Sequence, residues 1–399
     1  MSKIVFFCIP AHGHTNPTLG VVKELVSRGH QVWYYSYEMF REKIEATGAT
    51  FVGCDAFDME KKLSPKDGAR IGKDLAFSTK ILVDTTLALD DKVCEDMKAL
   101  QPDCIVADSM AVWGKAVAMK LGIPFVSSTT TFAFNRHSAK IMKKDGGGLM
   151  KTVLTMGKAN KEVKRLQAKE YPVKNVLDLI SNDANTHTIV YTSPEFQPCA
   201  ETFSDKFAFV GPSIRPAVTE IEKTRERLVY ISMGTVNNDM MPFYQQCIEA
   251  LKDTGYQVVL SVGNLVSVET LIRQIGEGTG GSLPSSIEIH PQVDQIAVLQ
   301  KADAFISHCG MNSASESLYF GVPLVMVPQT AEQAGVCERV LQLGAGIQLE
   351  TFDSASILSA IRTLLEEQRY RKNAEVVSAG FRRCSGAKGA ADKIESMCV

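Results

Sequence analysis

The sequence contains no Cys-x-x-Cys pair and no long apolar run. Its ten cysteines are scattered over 399 residues, a distribution that favours reduced, mostly buried thiols over disulfides or zinc ligands. No apolar run approaches the roughly 20 residues that a membrane-spanning helix needs. The first apolar segment, residues 3–9, is also too short for a signal peptide. We therefore expect a cytoplasmic protein without stable membrane association.

An excess of charge of one sign is also missing. The chain has 43 Lys and Arg against 45 Asp and Glu, for a formal net charge of -2, so no basic field indicates a nucleic-acid or anionic-membrane partner. The first loop lacks Gly-x-Gly-x-x-Gly, which disfavours a dinucleotide-dependent oxidoreductase. The length of 399 residues suggests two or three domains, and an apolar fraction of 45% is ordinary for a globular protein with a large core. Nothing in the sequence indicates an oligomeric state.

Apolar runs alternate with helical patterns in two separate stretches of the chain. The first stretch has a buried strand at residues 3–9, a helix that Asn16 and Pro17 would begin, and a strand at 31–35. The same order restarts with a strand at 228–232. Because β-α-β units build parallel sheets, this repeat predicts an α/β protein with two doubly wound, Rossmann-like domains.

Composition indicates where one domain passes to the next. We predict a first domain over residues 1–212, a linker at 213–226 that is rich in proline and charge, and a second domain over 227–370. The lysine-rich stretch 140–175 includes three consecutive glycines and predicts a loop followed by an amphipathic helix.

Residues 307–313, Ser-His-Cys-Gly-Met-Asn-Ser, form the most specific pattern in the chain. An apolar strand ends here, and Gly310 allows a tight turn into a helix that starts near Asn312. The first-turn N–H groups and the dipole of such a helix attract a diphosphate, with His308 beside them as a further donor. Glu316 lies one turn further on, where its carboxylate can accept hydrogen bonds from both hydroxyls of a ribose.

This block, with Gly-Val-Pro at 321–323 and Glu332-Gln333, resembles the signature of the UDP-glycosyltransferase superfamily (family 1, GT-B fold). Residues 10–19 are similar to the family's first loop. The resemblance therefore covers nearly the whole chain, and it is closest to the bacterial macrolide and flavonoid glycosyltransferases. It implies two Rossmann-like domains that face each other across a cleft holding the active site, and a C-terminal helix, 371–399, that returns to the first domain.

The resemblance also implies a set of donor-binding residues in the second domain. His308 and the turn that follows it would bind the diphosphate, Glu316 the ribose, and Glu332 with Gln333 the hydroxyls of the sugar. The complete set of matching donor positions is Ser232, Gly234, Thr235, Gln292, Val293, His308, Gly310, Asn312, Ser313, Glu316, Glu332 and Gln333.

One segment departs from the family pattern. Where many relatives have Trp-x-Pro-Gln, with the tryptophan stacked on the nucleobase, residues 292–295 are Gln-Val-Asp-Gln. This substitution leaves the choice between uridine and thymidine diphosphate open. Gln333 at the last signature position is typical of enzymes that use glucose donors, so we expect UDP-glucose as the co-substrate.

Sugar transfer needs a base that takes the proton of the acceptor hydroxyl, and a histidine oriented by a carboxylate suits that role near neutrality. The family's catalytic His–Asp pair falls on His14 and Asp108, and Asp108 follows the apolar run 104–107 at the end of a predicted strand. His12 is the rival base. The Gly-His-x-x-Pro portion of the family pattern selects His14.

The acceptor site has weaker support from the sequence. Segments 57–82 and 128–142 contain Phe77, Phe132 and Phe134, whose rings suit a flat hydrophobic aglycone such as a phenol, a flavonoid or a macrolide. The same residues could equally belong to the core of the first domain.

Together these observations predict an inverting transfer of a hexose from a UDP-sugar to a natural product, with no metal and no cofactor besides the nucleotide-sugar co-substrate. Three alternatives stay open: a nucleotide-sugar epimerase of the same fold, a lipid-linked sugar transferase, and a catalytically silent sugar-nucleotide binding protein.

Overall fold

A computed structural model of the chain describes residues 1–57, 63–64, 67, 70, 74–138, 149–235, 237–279 and 283–398, without the side chains of 149–154 and 277–279. These residues form two units. The first comprises Met1–Ser213 and Cys384–Val399, and the second comprises Ile214–Arg383.

The first unit is built on a parallel sheet whose short strands are rich in β-branched and aromatic residues. Its seven described strands are β1 Lys3–Phe7, β2 Gln31–Ser36, β3 Thr50–Gly53, β4 Cys104–Asp108, β5 Phe125–Thr129, β6 His187–Val190 and β7 Phe207–Phe209. Their order is β3-β2-β1-β4-β5-β6-β7, with parallel pairing throughout. The sheet is therefore doubly wound: successive strands are added on one side of β1 up to β3 and on its other side from β4 onward, and such folds bind ligands where this order reverses, between β1 and β4.

Helices connect these strands. Those described before the second unit are α1 His12–Ser27, α2 Arg41–Glu45, α3 Leu75–Leu100, α4 Val112–Leu121, α5 Leu149–Gln167 and α6 Val176–Ile180. Three single 3-10 turns, at Glu38–Phe40, Asp55–Phe57 and Ala200–Thr202, complete the list. No helix in the described part of the chain is both long and apolar enough to span a bilayer. Residues 140–148 of the lysine-rich stretch, which include its three glycines, lie outside the described residues.

Both faces of the first sheet are covered, as the apolar strands require. Val5 and Phe7 point to one face and pack with Trp113 of α4. Phe6 points to the opposite face, where it shares a cluster with Ile394 near the C-terminus. The alternation of side chains along β1 thus places two helical layers around one sheet.

Helix α1 begins earlier than the sequence predicts. Asn16 and Pro17 suggest an N-cap and a first-turn proline, but the helix begins at His12, with Ala11 as its N-cap and Pro17 inside it. The N–H groups of His14 and Thr15 both donate to the Ala11 carbonyl, which closes the first turn. His14 therefore lies on a helix rather than in a loop.

The second unit has the same architecture with six described strands. They are β8 Leu228–Ser232, β9 Gln257–Ser261, β10 Ile287–His290, β11 Ala304–Ser307, β12 Leu324–Met326 and β13 Gly346–Gln348, in the parallel order β10-β9-β8-β11-β12-β13. The helices of this unit are α7 Met241–Leu251, α8 Val268–Thr279, α9 Gln295–Leu299, α10 Met311–Tyr319, α11 Ala331–Gln342, α12 Ser354–Glu366 and α13 Gln368–Arg383. The predicted α/β class with two doubly wound sheets is confirmed.

The C-terminal segment is divided between the two units. The sequence predicts a return to the first domain at residue 371, but α13 packs against α10 and α12 of the second unit. There Ser378 donates a hydrogen bond to the Tyr319 carbonyl at 2.5 Å. The chain rejoins the first unit at Cys384, and its last helix, α14 Gly386–Glu395, packs against α1.

The predicted linker at 213–226 is attached to the second unit from Ile214 onward. Lys223 pairs with Asp303 at 2.6 Å, and the Thr224 N–H donates to the side chain of Gln257 at 2.8 Å. Through these contacts, the residues that precede β8 pack on the second unit and belong to it.

Candidate active site

In the first unit, His14 and Asp108 meet at the carboxyl edge of the sheet. Asp108 is the last residue of β4, and its Oδ2 lies 2.8 Å from Nδ1 of His14 in the first turn of α1. The Asp108 side chain is 1% exposed and that of His14 20% exposed. A carboxylate at Nδ1 selects the tautomer in which Nε2 accepts a proton, which is the arrangement of an oriented general base.

Both oxygens of the Asp108 carboxylate are engaged. Oδ1 accepts the Met110 N–H at 2.9 Å, so the carboxylate is held at the start of the loop that follows β4. Helix α4 begins after this loop, with Ala111 as its N-cap and no side-chain cap. Asp108 therefore does not cap α4, and its Oδ2 contacts His14, which is 94 positions away in the sequence.

Thr130 is a third member of this cluster that sequence reasoning missed. It follows β5, the strand beside β4, and is 3% exposed. Its hydroxyl lies 3.1 Å from Nδ1 of His14. Only strand order brings it there, although a polar residue directly after a buried strand was an available signal.

Buried hydroxyl contacts fix the first turn of α1 on the sheet. Thr18 donates to the Thr15 carbonyl at 2.8 Å and contacts the hydroxyl of Tyr34 on β2 at 2.7 Å. Thr15 contacts the Cys8 thiol, 3.5 Å away, just beyond β1. Because Thr15 and Thr18 are both buried, these contacts restrict the orientation of the turn that carries His14.

His12 has a different environment from His14. Its ring packs edge to face on Phe40, with 4.9 Å between the ring centroids. Burial and, to a smaller extent, the charge of Lys43 lower the pKa of His12. The structure thus gives His14 the carboxylate partner and gives His12 an aromatic one.

The three phenylalanines predicted to line an acceptor site differ in exposure. Phe132 is buried against Phe196, with centroids 5.4 Å apart, and belongs to the core. Phe77 is half-buried under the guanidinium of Arg70, 4.1 Å from the ring centroid. Phe134 is 51% exposed.

Met110 is another exposed apolar side chain near the His14–Asp108 pair, and the sequence did not single it out. It is 44% exposed and lies two residues after Asp108. Residues 58–62, 65–66, 68–69, 71–73 and 139–142 of the predicted acceptor segments lie outside the described residues.

In the second unit, the loops after β8 and β11 meet at the carboxyl edge of the sheet, because Ser232 pairs with Ser307 at the ends of these strands. The imidazole of His308 lies between two glycines. A β-carbon at Gly234 would lie 2.6 Å from its Cε1, and one at Gly310 would lie 2.5 Å from its Nε2. Both positions therefore need glycine to make room for this ring.

Burial lowers the pKa of His308 to about 4, against a smaller opposing contribution from the Ser232 backbone. The ring is thus neutral at physiological pH. A neutral imidazole can offer one N–H to an anionic ligand as a hydrogen-bond donor, without contributing a full positive charge.

Helix α10 begins at Met311, three residues after His308. Its N-cap is Gly310, which has no side chain to cap the first turn. The preceding residue, Cys309, adopts a left-handed conformation with φ 62°, and its N–H donates to the Ser307 hydroxyl at 3.1 Å. This turn directs the start of α10, with Asn312 and Ser313, toward the carboxyl edge of the sheet, where backbone N–H groups and the helix dipole favour an anion.

Glu316 lies one turn into α10 and contacts Gln295 of α9. The Gln295 amide donates to Oε2 of Glu316 at 2.5 Å, and its carbonyl oxygen accepts the Tyr230 hydroxyl at 3.3 Å. Burial raises the pKa of Glu316, while the hydrogen bond from Gln295 and the charge of Arg215 oppose that rise. Gln295, a residue of the 292–295 segment, was not among the predicted site residues.

The two predicted nucleobase contacts, Gln292 and Val293, follow β10 in the loop that leads to α9. Gln292 is exposed and Val293 half-buried. The next residue, Asp294, is the N-cap of α9, but its side chain accepts no hydrogen bond from the first turn of that helix. It accepts from Arg215 instead.

Glu332 and Gln333 lie in the first turn of α11. The Thr330 hydroxyl accepts the Gln333 N–H at 3.3 Å, and the Gln333 side chain accepts the Gln329 N–H at 2.8 Å. This reciprocal pattern resembles a capping box. It uses the amide oxygen of Gln333 and leaves its amide NH₂ as the group that can donate to a ligand.

The structure therefore groups the predicted residues into two clusters. One holds His14 and Asp108 in the first unit, and the other holds His308 and Glu316 at the carboxyl edge of the second sheet, with Thr235 exposed in the neighbouring loop. Among the residues that the structure describes, no group of three or more His, Cys, Asp or Glu side chains is placed to hold a metal ion.

Comparison with known proteins gives consistent matches. Residues 218–382 match a family model described as UDP-glucoronosyl and UDP-glucosyl transferase. The chain is 31% identical to the uncharacterized UDP-glucosyltransferase YojK of Bacillus subtilis (strain 168), over 99% of this chain and 97% of that protein. It is 32% identical to the NDP-glycosyltransferase YjiC of the same organism, over 97% and 95% of the two chains.

A comparison with solved structures also finds a glycosyltransferase. The chain resembles CalG4, the calicheamicin glycosyltransferase, with a TM-score of 0.79 and 27% sequence identity. The match covers 100% of this chain and 98% of that one. The predicted resemblance to bacterial glycosyltransferases is confirmed over the whole length of the chain.

Proposed function

Because the chain belongs to the UDP-glycosyltransferase superfamily, a family of glycosyltransferases, we propose that it transfers a glucose residue from UDP-glucose to a hydroxyl group of a hydrophobic small molecule, with inversion at the anomeric carbon. The observation that carries this proposal is the 2.8 Å contact between His14 and the buried carboxylate of Asp108. It provides an oriented base at the edge of the first sheet.

His14 accepts the proton of the acceptor hydroxyl at Nε2. Asp108 accepts the N–H at Nδ1, so it holds the required tautomer and stabilises the imidazolium that forms during transfer. Thr130 contacts the same nitrogen at 3.1 Å and restricts the orientation of the ring. We assign His14 as the catalytic base and the other two as positioning residues.

The donor binds to the second unit. Its diphosphate lies at the N-terminus of α10, where backbone N–H groups, the neutral His308 and the loop containing Gly234 and Thr235 surround it. Glu316, oriented by Gln295 at 2.5 Å, accepts the ribose hydroxyls. Glu332 and Gln333 contact the sugar.

The reaction balances without a redox partner. The acceptor oxygen forms a bond to the anomeric carbon as its proton moves to His14, and the bond from that carbon to the diphosphate oxygen breaks. The electron pair leaves with the diphosphate, whose charge the helix terminus and the neighbouring donors stabilise without a metal. The products are an inverted glycoside, UDP and a proton.

The acceptor binds to the first unit beside His14. Met110 and Phe134 supply exposed apolar surface in the loops after β4 and β5, which favours an acceptor with a flat apolar body such as a phenol, a flavonoid or a macrolide. The name of YojK, a UDP-glucosyltransferase, supports the choice of donor. The name of CalG4, a calicheamicin glycosyltransferase, supports a natural product as acceptor.

The test measures nucleotide release from UDP-glucose and TDP-glucose with a panel of phenolic and macrolide acceptors, and identifies the product by mass and anomeric configuration. We expect acceptor-dependent release of UDP and a β-glucoside. The His14→Ala variant should lose at least 10²-fold in kcat, which is the range of general base catalysis, while its affinity for UDP stays unchanged. The His12→Ala variant is the matched control and should keep most of the activity.

Several outcomes would contradict parts of the proposal. Equal activity of the His14→Ala and wild-type proteins would remove the assignment of the base. A product with retained configuration would exclude the single displacement. Loss of activity with EDTA that added Mg²⁺ restores would contradict metal independence, and interconversion of UDP-sugars without an acceptor would indicate an epimerase.

A further inference from the structure

Gln197 connects the turn after β6 to the loop after β5. It lies in the turn 193–197, where its N–H donates to the Ser193 carbonyl at 2.9 Å, and it is 1% exposed. Its amide oxygen accepts the Ala133 N–H at 2.9 Å. Its NH₂ group donates to the carbonyls of Ala133 at 2.9 Å and Pro198 at 3.0 Å. Gln197 therefore pairs with the backbone of Ala133 as a neighbouring strand would, and both hydrogens of its amide have an acceptor.

Two further contacts fix the same loop. Phe132 packs on Phe196 of the turn 193–197, with 5.4 Å between the ring centroids. On the other side of Phe134, the Asn135 amide donates to the Thr202 hydroxyl at 2.7 Å. The backbone is thus held on both sides of Phe134, although the ring of Phe134 is 51% exposed.

The loop that carries Phe134 begins at the proposed base. Thr130 directly follows β5, and its hydroxyl lies 3.1 Å from Nδ1 of His14. Phe134 comes four residues later, a stretch of chain that spans at most about 14 Å. An acceptor whose hydroxyl lies at His14 can therefore extend to this ring. Because the backbone is already fixed, Phe134 loses little conformational freedom when a ligand covers it, which favours binding.

We propose that Gln197 is a positioning residue of the acceptor site: through its two hydrogen bonds with Ala133, it holds the loop that presents Phe134 to the acceptor. The inference rests on the proposed function, in which Phe134 contacts the apolar body of the acceptor. It gives a part in acceptor binding to the turn after β6, which contains none of the predicted site residues. Since the donor binds to the second unit, Gln197 should affect the acceptor and leave UDP binding unchanged.

The experiment measures kcat and KM of the full-length protein for the most active acceptor of the phenolic and macrolide panel, at saturating UDP-glucose. Titration calorimetry measures UDP affinity, and thermal unfolding measures stability. Gln197→Leu removes both hydrogen bonds with Ala133 at similar side-chain volume. Phe134→Ala removes the ring that the loop presents, and because Phe134 is exposed this variant should fold normally.

Gln257→Leu is the matched control for Gln197→Leu. Gln257 is also 1% exposed, accepts a backbone N–H, that of Thr224, at 2.8 Å, and donates to a backbone carbonyl, that of Glu222, at 3.0 Å. It is the first residue of β9 and so lies at the amino end of the second sheet. Its loss should lower stability as much as the loss of Gln197.

We expect Gln197→Leu and Phe134→Ala each to raise the acceptor KM by roughly fivefold, the equivalent of one aromatic contact, and to change kcat by less than about twofold. UDP affinity should stay within about twofold of the wild-type value in both variants, and Gln257→Leu should keep the wild-type KM within the same limit. If Gln197 acts through Phe134, the double variant should have a KM no more than about twofold above that of Phe134→Ala alone.

Three outcomes would overturn the inference in a protein whose wild type is active. The first is an unchanged acceptor KM in Gln197→Leu or in Phe134→Ala. The second is a double variant in which the two single effects multiply, because Gln197 would then act independently of Phe134. The third is a loss of UDP affinity as large as the rise in KM, which indicates general destabilisation. A wild-type protein without activity toward every acceptor would instead overturn the proposed function, and this inference with it.

Discussion

The imidazole of His308 fills the space that a side chain at Gly234 would need. A β-carbon on Gly234 would lie 2.6 Å from Cε1 of the ring, and the backbone of Gly234 has φ +82°. The two residues come from loops 74 positions apart in the sequence. The pair shows why the loop after β8 contains a glycine: the neighbouring loop leaves no room for a side chain at this position.

We expect Gly234→Ala to weaken UDP binding at least 10-fold and to lower the free energy of unfolding by roughly 1–3 kcal/mol. The added methyl group must displace His308, and the left-handed backbone is strained for alanine. Calorimetric titration with UDP and urea denaturation would measure the two effects.

Gly255→Ala is the matched control for this substitution. Gly255 has φ +71° in the same unit, but a β-carbon there meets nothing within 4 Å. It should cost only the backbone strain, about 1 kcal/mol, and leave UDP affinity unchanged. If both variants bind UDP equally well, the contact of Gly234 with His308 has no role in donor binding.

Substitutions in the His14 cluster should act on turnover and spare donor affinity. Asp108→Asn should lower kcat by roughly 10²-fold or more, because an amide stabilises neither the required tautomer nor the imidazolium. Steady-state kinetics with saturating UDP-glucose would measure this change, and calorimetry would check UDP binding. An Asp108→Asn enzyme with normal kcat would show that the carboxylate does not assist the base.

Thr130→Val should lower kcat by roughly fivefold, the equivalent of one hydrogen bond of about 1 kcal/mol. Valine has the same shape as threonine, so packing against His14 is retained. Thr130→Ser restores the hydroxyl and should recover the activity in the same assay. A serine variant as impaired as the valine variant would indicate that the methyl group, rather than the hydroxyl, positions the ring.

Stability should depend on pH through His308. Its pKa falls from 6.5 to about 4 on folding because the ring is buried. Between these pH values the unfolded state binds more protons than the folded state. The contribution of His308 to the free energy of unfolding is therefore fully present above pH 6.5, and it decreases by roughly 3 kcal/mol as the pH falls toward 4. His308→Gln, which cannot be protonated, should lack this decrease. Urea denaturation of both proteins at several pH values would measure it, and parallel curves would contradict the assignment.

A buried carboxylate joins three segments of the first unit. Asp90 of α3 is 5% exposed and accepts from Lys120 at 2.9 Å, from the Tyr171 hydroxyl at 2.7 Å and from the Cys94 thiol at 3.2 Å. Asp90→Ala should lower the free energy of unfolding by roughly 2–4 kcal/mol, since it leaves polar partners without an acceptor.

Glu45→Gln provides the comparison for Asp90. Glu45 pairs with Arg41 at 3.1 Å on the surface of α2, where both side chains are at least 43% exposed. This substitution should change stability by less than about 1 kcal/mol. Thermal or urea unfolding of the two variants would measure the difference, and equal losses would contradict a structural role of the Asp90 network.

The order of apolar runs and helical patterns was sufficient to predict the α/β class with two sheets, and the strand ends at Ser232 and Ser307 fall where the sequence predicts them. Strand ends are local features, because a buried strand stops where polar and glycine-containing loop residues begin. Asp108 could be placed by the same logic, since it terminates an apolar run.

The start of α1 could not be predicted from local signals. Asn16 and Pro17 form a good helix beginning, yet the helix starts at His12, and buried contacts of Thr15 with Cys8 and of Thr18 with Tyr34 hold its first turns in place. Tertiary contacts of this kind override weak capping preferences.

The sequence by itself determined the alternation of strands and helices, the residue types at the strand ends and the pattern that resembles the glycosyltransferase signature. Only the tertiary structure decided that Thr130 contacts His14, that Gln295 contacts Glu316 and that Asp294 holds Arg215. These pairs join different helices and loops, and the order and register of the parallel sheets bring them together. Spacing along the chain carries no signal for such contacts, because a side chain meets its distant partner only after each sheet has formed.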